Sequence, residues 1–183
     1  MERYELIDED PIFSKVVRFF RPSDYLTWAI GTISAPAGLY LMELYEPAIG
    51  RKFTKPPPMI LRGAGLIGFI GGFLMAYNKS TKRLWGWSEN KREVEKDRYE
   101  VKKSLSLGLN PYGESSMNLY MQDVSSRNSK NSQLMLAFIP WFNFTNHINH
   151  GVDLRKYYEV RKGEENWGFD NLPPLNTIKG FEN

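Results

Sequence analysis

Two uncharged apolar runs, residues 25–42 and 63–77, constrain this chain more than any other feature. Each is about 15–18 residues long, close to the lower limit for crossing a bilayer core of roughly 30 Å. Between them, residues 43–62 carry Pro47, Pro56, Pro57 and Pro58, which rule out continuous helix and suit a short polyproline stretch. Met59, Ile60 and Leu61 lengthen the second run ahead of Arg62, whose guanidinium can snorkel to a headgroup layer. The pattern is that of a two-helix transmembrane hairpin. A buried helical pair in a soluble protein is the competing reading, because cores also hold apolar runs this short.

Small residues favour the membrane. Ala64, Gly68, Gly72 and Ala76 recur every fourth residue, and Thr27, Gly31 and Ala35 offer a matching lane on the first run. In water each mid-helix glycine costs about 1 kcal/mol relative to alanine. In lipid such lanes let helix backbones approach closely, so Gly31, Ala35, Ala64, Gly68, Gly72 and Ala76 are the candidate helix-packing residues. Tyr25, Trp28, Tyr77, Trp85 and Trp87 would form an aromatic belt at one face, with Tyr40 and Tyr45 at the other. Ser23 or Asp24 is placed to cap the first helix. Pro36 strips a donor from the Thr32 carbonyl, and the Thr32 or Ser34 hydroxyl can answer the freed groups.

The remainder is strongly polar, since mean hydropathy is −0.46 despite the two runs. Net charge is +3, with basic residues scattered among acids, which argues against nucleic-acid binding. No cysteine is present, so disulfides, thiolate-held iron–sulfur clusters and a cysteine nucleophile are excluded. The acidic start (Glu2, Glu5, Asp8, Glu9, Asp10) is unlike a cleaved mitochondrial presequence or a secretory signal.

Four segments follow. Residues 1–24 form an arm ending in a short amphipathic helix at the headgroups. Residues 25–77 form the hairpin; Arg51, Lys52, Lys55 and Arg62 in its link are candidate contacts for anionic lipid such as cardiolipin. Residues 78–108 hold the belt and a charged helix, capped at Ser88 and stopped at Gly108. Its apolar positions, Val94, Tyr99, Val101 and Leu105, are too sparse for a core, so it lies on another protein or is solvated and held by ion pairs. Residues 109–183 are largely extended and partner-bound, with a short helix over 114–128. The apolar stretch 133–144, broken by Pro140, either dips into the interface or docks on a partner. The fold class is thus mostly α and membrane-bound.

No site for catalysis or a cofactor emerges. His147 and His150, the only histidines, form an H-x-x-H without cysteine and read as hydrogen-bonded structural residues ahead of zinc ligands. The glycines of the second run lack a strand–turn–helix context or a Walker lysine.

Several strings resemble one family. They include Asp10-Pro11-Ile12-Phe13, Phe20-Arg21-Pro22-Ser23-Asp24-Tyr25-Leu26-Thr27-Trp28 and Trp85-Gly86-Trp87-Ser88-Glu89-Asn90. Further matches are Gly113-Glu114-Ser115-Ser116, Ile139-Pro140-Trp141-Phe142-Asn143 and His150-Gly151-Val152-Asp153. Together they resemble the fungal two-span, 21 kDa-type accessory subunit of mitochondrial respiratory complex I (NADH:ubiquinone oxidoreductase). The resemblance implies a non-catalytic inner-membrane subunit packed against core and accessory subunits of the proton-pumping membrane arm, with no cofactor of its own. The scattered charges lean towards termini on the matrix side. A membrane assembly factor and a stand-alone cardiolipin-binding protein are the alternatives.

Overall fold

Five helices account for most of the computed structural model, which describes residues 4–47, 53, 55–129, 133, 142–169 and 171–178. They are α1 (Phe13–Arg18), α2 (Pro22–Tyr45), α3 (Pro58–Leu84), α4 (Lys91–Ser106) and α5 (Leu119–Ser129), followed by short 3₁₀ turns at Leu154–Tyr157 and Leu175–Thr177. The described residues include no strand.

Helices α2 and α3 form a long antiparallel pair. Pro22 at the first turn of α2 and Pro58 at that of α3 supply the fixed φ a helix start requires. Asp24 caps α2 from the third helical position, where its carboxylate accepts the Arg21 N–H at 2.7 Å. Ser23 does not take that role. Pro36 sits inside α2, but the hydroxyls near it answer other carbonyls than expected. Thr32 Oγ1 donates to Trp28 O at 2.8 Å and Ser34 Oγ to Gly31 O at 2.9 Å.

Both helices outrun the apolar segments that announced them. The last turns of α3, beyond Tyr77, bury Ser80, Thr81, Arg83 and Leu84. By length and composition α3 is the one described helix apolar enough to cross a membrane. Helix α2 is long enough, but Thr27, Thr32, Ser34, Pro36 and Tyr40 dilute it. The structure therefore contains the hairpin but does not by itself make both arms membrane spans.

Below the hairpin the chain closes on itself. Ile7, Val16 and Phe19 pack against Tyr77 and Leu84 in one apolar cluster, flanked by Phe13, Phe73 and Phe142. The apolar face of α1, expected at the headgroups, is thus covered by α3. Tyr77, expected in an exposed belt, is fully buried. Gly86 makes the turn out of α3 at φ +71°, and a Cβ there would stand 2.5 Å from Tyr4 O, so the arm lies directly on it.

Helix α4 corrects a second expectation. Its start is at Asn90, not Ser88, and the Asn90 side chain donates to Glu5 O at 2.7 Å and Arg83 O at 2.8 Å instead of capping. Gly108, at φ +68°, ends it. Its inner face follows helical spacing but is largely charged: Glu93, Asp97, Arg98, Val101, Lys102 and Leu105 are buried. The covering comes from this same chain, since Leu154, Tyr157 and Ile178 close a second cluster on Val101 and Leu105.

Candidate functional site

The hairpin crossing is built on glycine. An added Cβ on Gly31 would stand 2.6 Å from the Gly72 Cα, one on Gly72 2.6 Å from Trp28 O, and one on Gly68 2.7 Å from Thr32 O and 3.2 Å from the Ala35 Cβ. Gly31, Ala35, Gly68 and Gly72 thus meet one another across α2 and α3. Trp28 locks the crossing: its indole N–H donates to Phe69 O at 2.9 Å, with the ring against Phe69 and Phe73. Ala76 is buried and Ala64 half-buried. A Cβ on Gly38, Gly65 or Gly71 would meet open space. Of the candidate lipid contacts, Lys55 and Arg62 are exposed, whereas Arg51 and Lys52 lie outside the described residues, as does 134–141 of the apolar stretch.

At the hairpin base, ionic side chains join the helices. Arg83 on α3 pairs with Asp24 on α2 through both carboxylate oxygens, and its Nε lies 3.1 Å from Glu93 on α4. Arg21 reaches the same carboxylate, Nε to Oε1, at 2.6 Å. Asp24, Arg83 and Glu93 are nearly inaccessible to solvent. Buried charges persist when paired and hydrogen-bonded: Asp24 takes its bonds from Arg83 and the Arg21 N–H, and Glu93 takes its bonds from the Arg21 guanidinium with Arg83 alongside as counter-charge.

A second network ties the arm to the C-terminal region. Asp8 accepts from Lys15 Nζ at 3.0 Å and from the Asp10 N–H at 3.1 Å, and lies 2.8 Å from His150 Nδ1. The opposite nitrogen, His150 Nε2, faces His147 O at 2.8 Å. Both ring nitrogens of His150 therefore face oxygen atoms of this chain. His147 Nε2 lies 3.0 Å from Asp10, Lys15 reaches on to Asp97 at 3.0 Å, and Tyr157 donates to Asp97 at 2.6 Å. Burial alone would raise the Asp8 carboxyl, but Lys15 and His150 outweigh it and hold it well below the usual carboxylate range. Burial and the charge of Asp97 push the Tyr157 hydroxyl up, so it stays a donor.

In the third network Arg98 and Lys102 of α4 grip Glu164. Arg98 Nη2 and Lys102 Nζ lie 2.9 and 2.7 Å from Oε2, and the Arg98 Nε also donates to this carboxylate. The same cations donate to the carbonyls of Lys156 and Glu159.

Chemically, these groups hold segments together. The two histidines face carboxylates and a carbonyl, and among the described residues no group of three or more His, Asp or Glu is placed to hold a metal. Sequence reasoning missed Asp8, Asp10, Arg83, Glu93, Asp97, Arg98, Lys102 and Glu164 as buried anchors. The available signal was the spacing 94, 97, 98, 101, 102, 105, a helical core stripe with charges at half its positions.

The comparisons agree with one another over nearly the whole chain. Residues 1–89 match the family model described as NADH-ubiquinone oxidoreductase complex I, 21 kDa subunit. Residues 98–182 match that for the C-terminal of NADH-ubiquinone oxidoreductase 21 kDa subunit. Among curated proteins, the NADH-ubiquinone oxidoreductase 20.9 kDa subunit of Neurospora crassa is 42% identical over 161 residues, covering 88% of this chain and 84% of that protein.

Proposed function

This chain belongs to the complex I 21 kDa subunit family, and from that premise we propose that it is a non-catalytic accessory subunit of mitochondrial NADH:ubiquinone oxidoreductase, seated in the membrane arm by the α2–α3 hairpin. Membership makes it part of an enzyme complex in the mitochondrial membrane. Its own part is structural: the charged groups described above are engaged in pairs that join its segments, and other subunits carry the redox chemistry.

One observation carries the membrane seat. Away from the crossing, the hairpin turns large apolar side chains outward: Leu26, Ile30 and Ile33 on α2, and Leu66, Ile67 and Ile70 on α3, are each about half or more exposed. Water would penalise so long an apolar surface, and lipid or neighbouring transmembrane helices would cover it. The arm, the α3–α4 turn, α4 and residues 142–169 and 171–178 gather at one end of the hairpin, so in this reading both arms span and this polar structure lies on one side, the matrix. At the other end, Lys55 and Arg62 meet anionic headgroups such as cardiolipin.

Native electrophoresis of gently solubilised mitochondrial membranes, stained in the gel for NADH dehydrogenase activity, tests the assignment. Co-migration of this chain with the active complex is the expected result. Confinement to a smaller, inactive species would identify an assembly factor or a free lipid-binding protein instead.

A further inference from the structure

An unbroken chain of aromatic rings runs around the hairpin base. Phe144 touches Phe13 at 5.2 Å between centroids, Phe13 touches Phe73 at 6.1 Å, Phe73 touches Phe20 at 6.2 Å, and Phe20 meets Tyr25 at 5.6 Å. The middle of this chain is packed, but its ends are open: Phe144 is 74% exposed and Tyr25 52%. Phe73 and Tyr77 mark where the apolar part of α3 gives way to Asn78 and Lys79, and the Phe13 ring stacks on Tyr77 at 5.6 Å. Phe144, one ring further on, is therefore held near the same depth.

The charges at that level are asymmetric. Asp8, Asp10, Asp24 and Glu93 are buried in the networks at the hairpin base and the exposed Glu89 is paired with Arg21, while Lys79 and Lys82 are exposed. Lys79 lies over the α2 surface, its Nζ 2.8 Å from Thr27 Oγ1. Apolar rings at the level of exposed lysines, with the neighbouring acids buried or paired with arginine, fit the boundary between acyl chains and anionic headgroups.

We propose that this band is a membrane-interface seat, in which Phe144 of the C-terminal region returns to the bilayer and enters the acyl–headgroup boundary while Lys79 and Lys82 contact anionic phospholipid. The proposal rests on the hairpin spanning the membrane. It adds that the region after α5 makes a lipid contact of its own, so the belt is assembled from three separate stretches of chain.

Because the chain lacks cysteine, single nitroxide labels can read depth in the full-length protein, reconstituted into phosphatidylcholine vesicles with and without cardiolipin. Phe144→Cys is the test position and Thr145→Cys its back-up, with Ile33→Cys on the hairpin and Glu165→Cys in water as references. The label at 144 is expected to show oxygen relaxation exceeding that by a nickel chelate, at a depth between the two references. Cardiolipin should move it deeper, and Lys79→Gln with Lys82→Gln should abolish that shift. Relaxation like that at position 165, or shielding from both reagents by protein contact, would overturn the proposal. Should the Ile33→Cys label itself behave as in water, the spanning hairpin fails, and that outcome is read separately.

Discussion

Gly68 lies under the carbonyl of Thr32, so close that a Cβ on the glycine would stand 2.7 Å from that oxygen. Thr32 is the residue whose α-helical donor Pro36 removes. An oxygen short of its own helix's N–H is thus turned towards the one residue on α3 that can approach it without a side chain. Weak Cα–H···O attraction at such contacts is about 0.5–1 kcal/mol each, and the gain in close packing adds to it. Proline and glycine, each unfavourable in its own helix, are favourable as a pair.

Neighbouring glycines should therefore respond differently. Gly72→Leu drives a side chain into Trp28 O and should destabilise the hairpin by roughly 1–3 kcal/mol, or splay its helices. Gly71→Leu meets open space and should stay within about 0.5 kcal/mol of the parent. Thermal unfolding in mild detergent measures both. If complex yield falls for Gly71→Leu while the hairpin stays stable, position 71 faces a neighbouring subunit.

The ionic base gives a second expectation. Asp24→Asn removes the charge that Arg83 grips through both carboxylate oxygens and should cost about 1.5–3 kcal/mol, because the buried guanidinium is left with only its contact to Glu93. Asp24→Asn combined with Arg83→Met should recover much of that loss, since replacing the whole pair removes both desolvation penalties. A double-mutant cycle on chemical unfolding reads the coupling.

How much of this was legible in sequence follows from its range. The hairpin is local information: four prolines between two apolar runs, with glycines at helical spacing. So is the end of α4 at Gly108. The buried charge is not local, because Arg98 meets Glu164 over 66 residues of sequence and Asp8 meets His150 over 142, and a lone sequence shows no pairing. Read singly, each charge on α4 belonged in water, which made the helix look coreless and the C-terminal region look bound to a partner. In the fold that region covers α4 itself, and ion pairs occupy places that apolar contacts would otherwise fill.

Acid should loosen the C-terminal wrap. Burial alone would raise the Glu164 carboxyl, but hydrogen bonds from Arg98 and Lys102 prevail and bring it from 4.5 down to about 2. A depressed carboxylate contributes fully above its unfolded value, and that contribution fades as pH falls from about 4.5 towards 2. Limited proteolysis of residues 154–178 should accelerate across that window. Glu164→Gln should already be cleaved faster at neutral pH and show a flatter acid response.

A hairpin that crosses the bilayer twice puts its tip and the folded polar region on opposite sides of one membrane. Lys55→Cys at the tip and Glu165→Cys in the polar region, each the only cysteine of this chain, can be probed with an impermeant maleimide on intact mitoplasts, with the complex isolated afterwards. The expected result is labelling at position 55 in intact mitoplasts and at 165 only after the membrane is permeabilised. Labelling of both before permeabilisation, or of neither, would contradict a hairpin that crosses the bilayer twice.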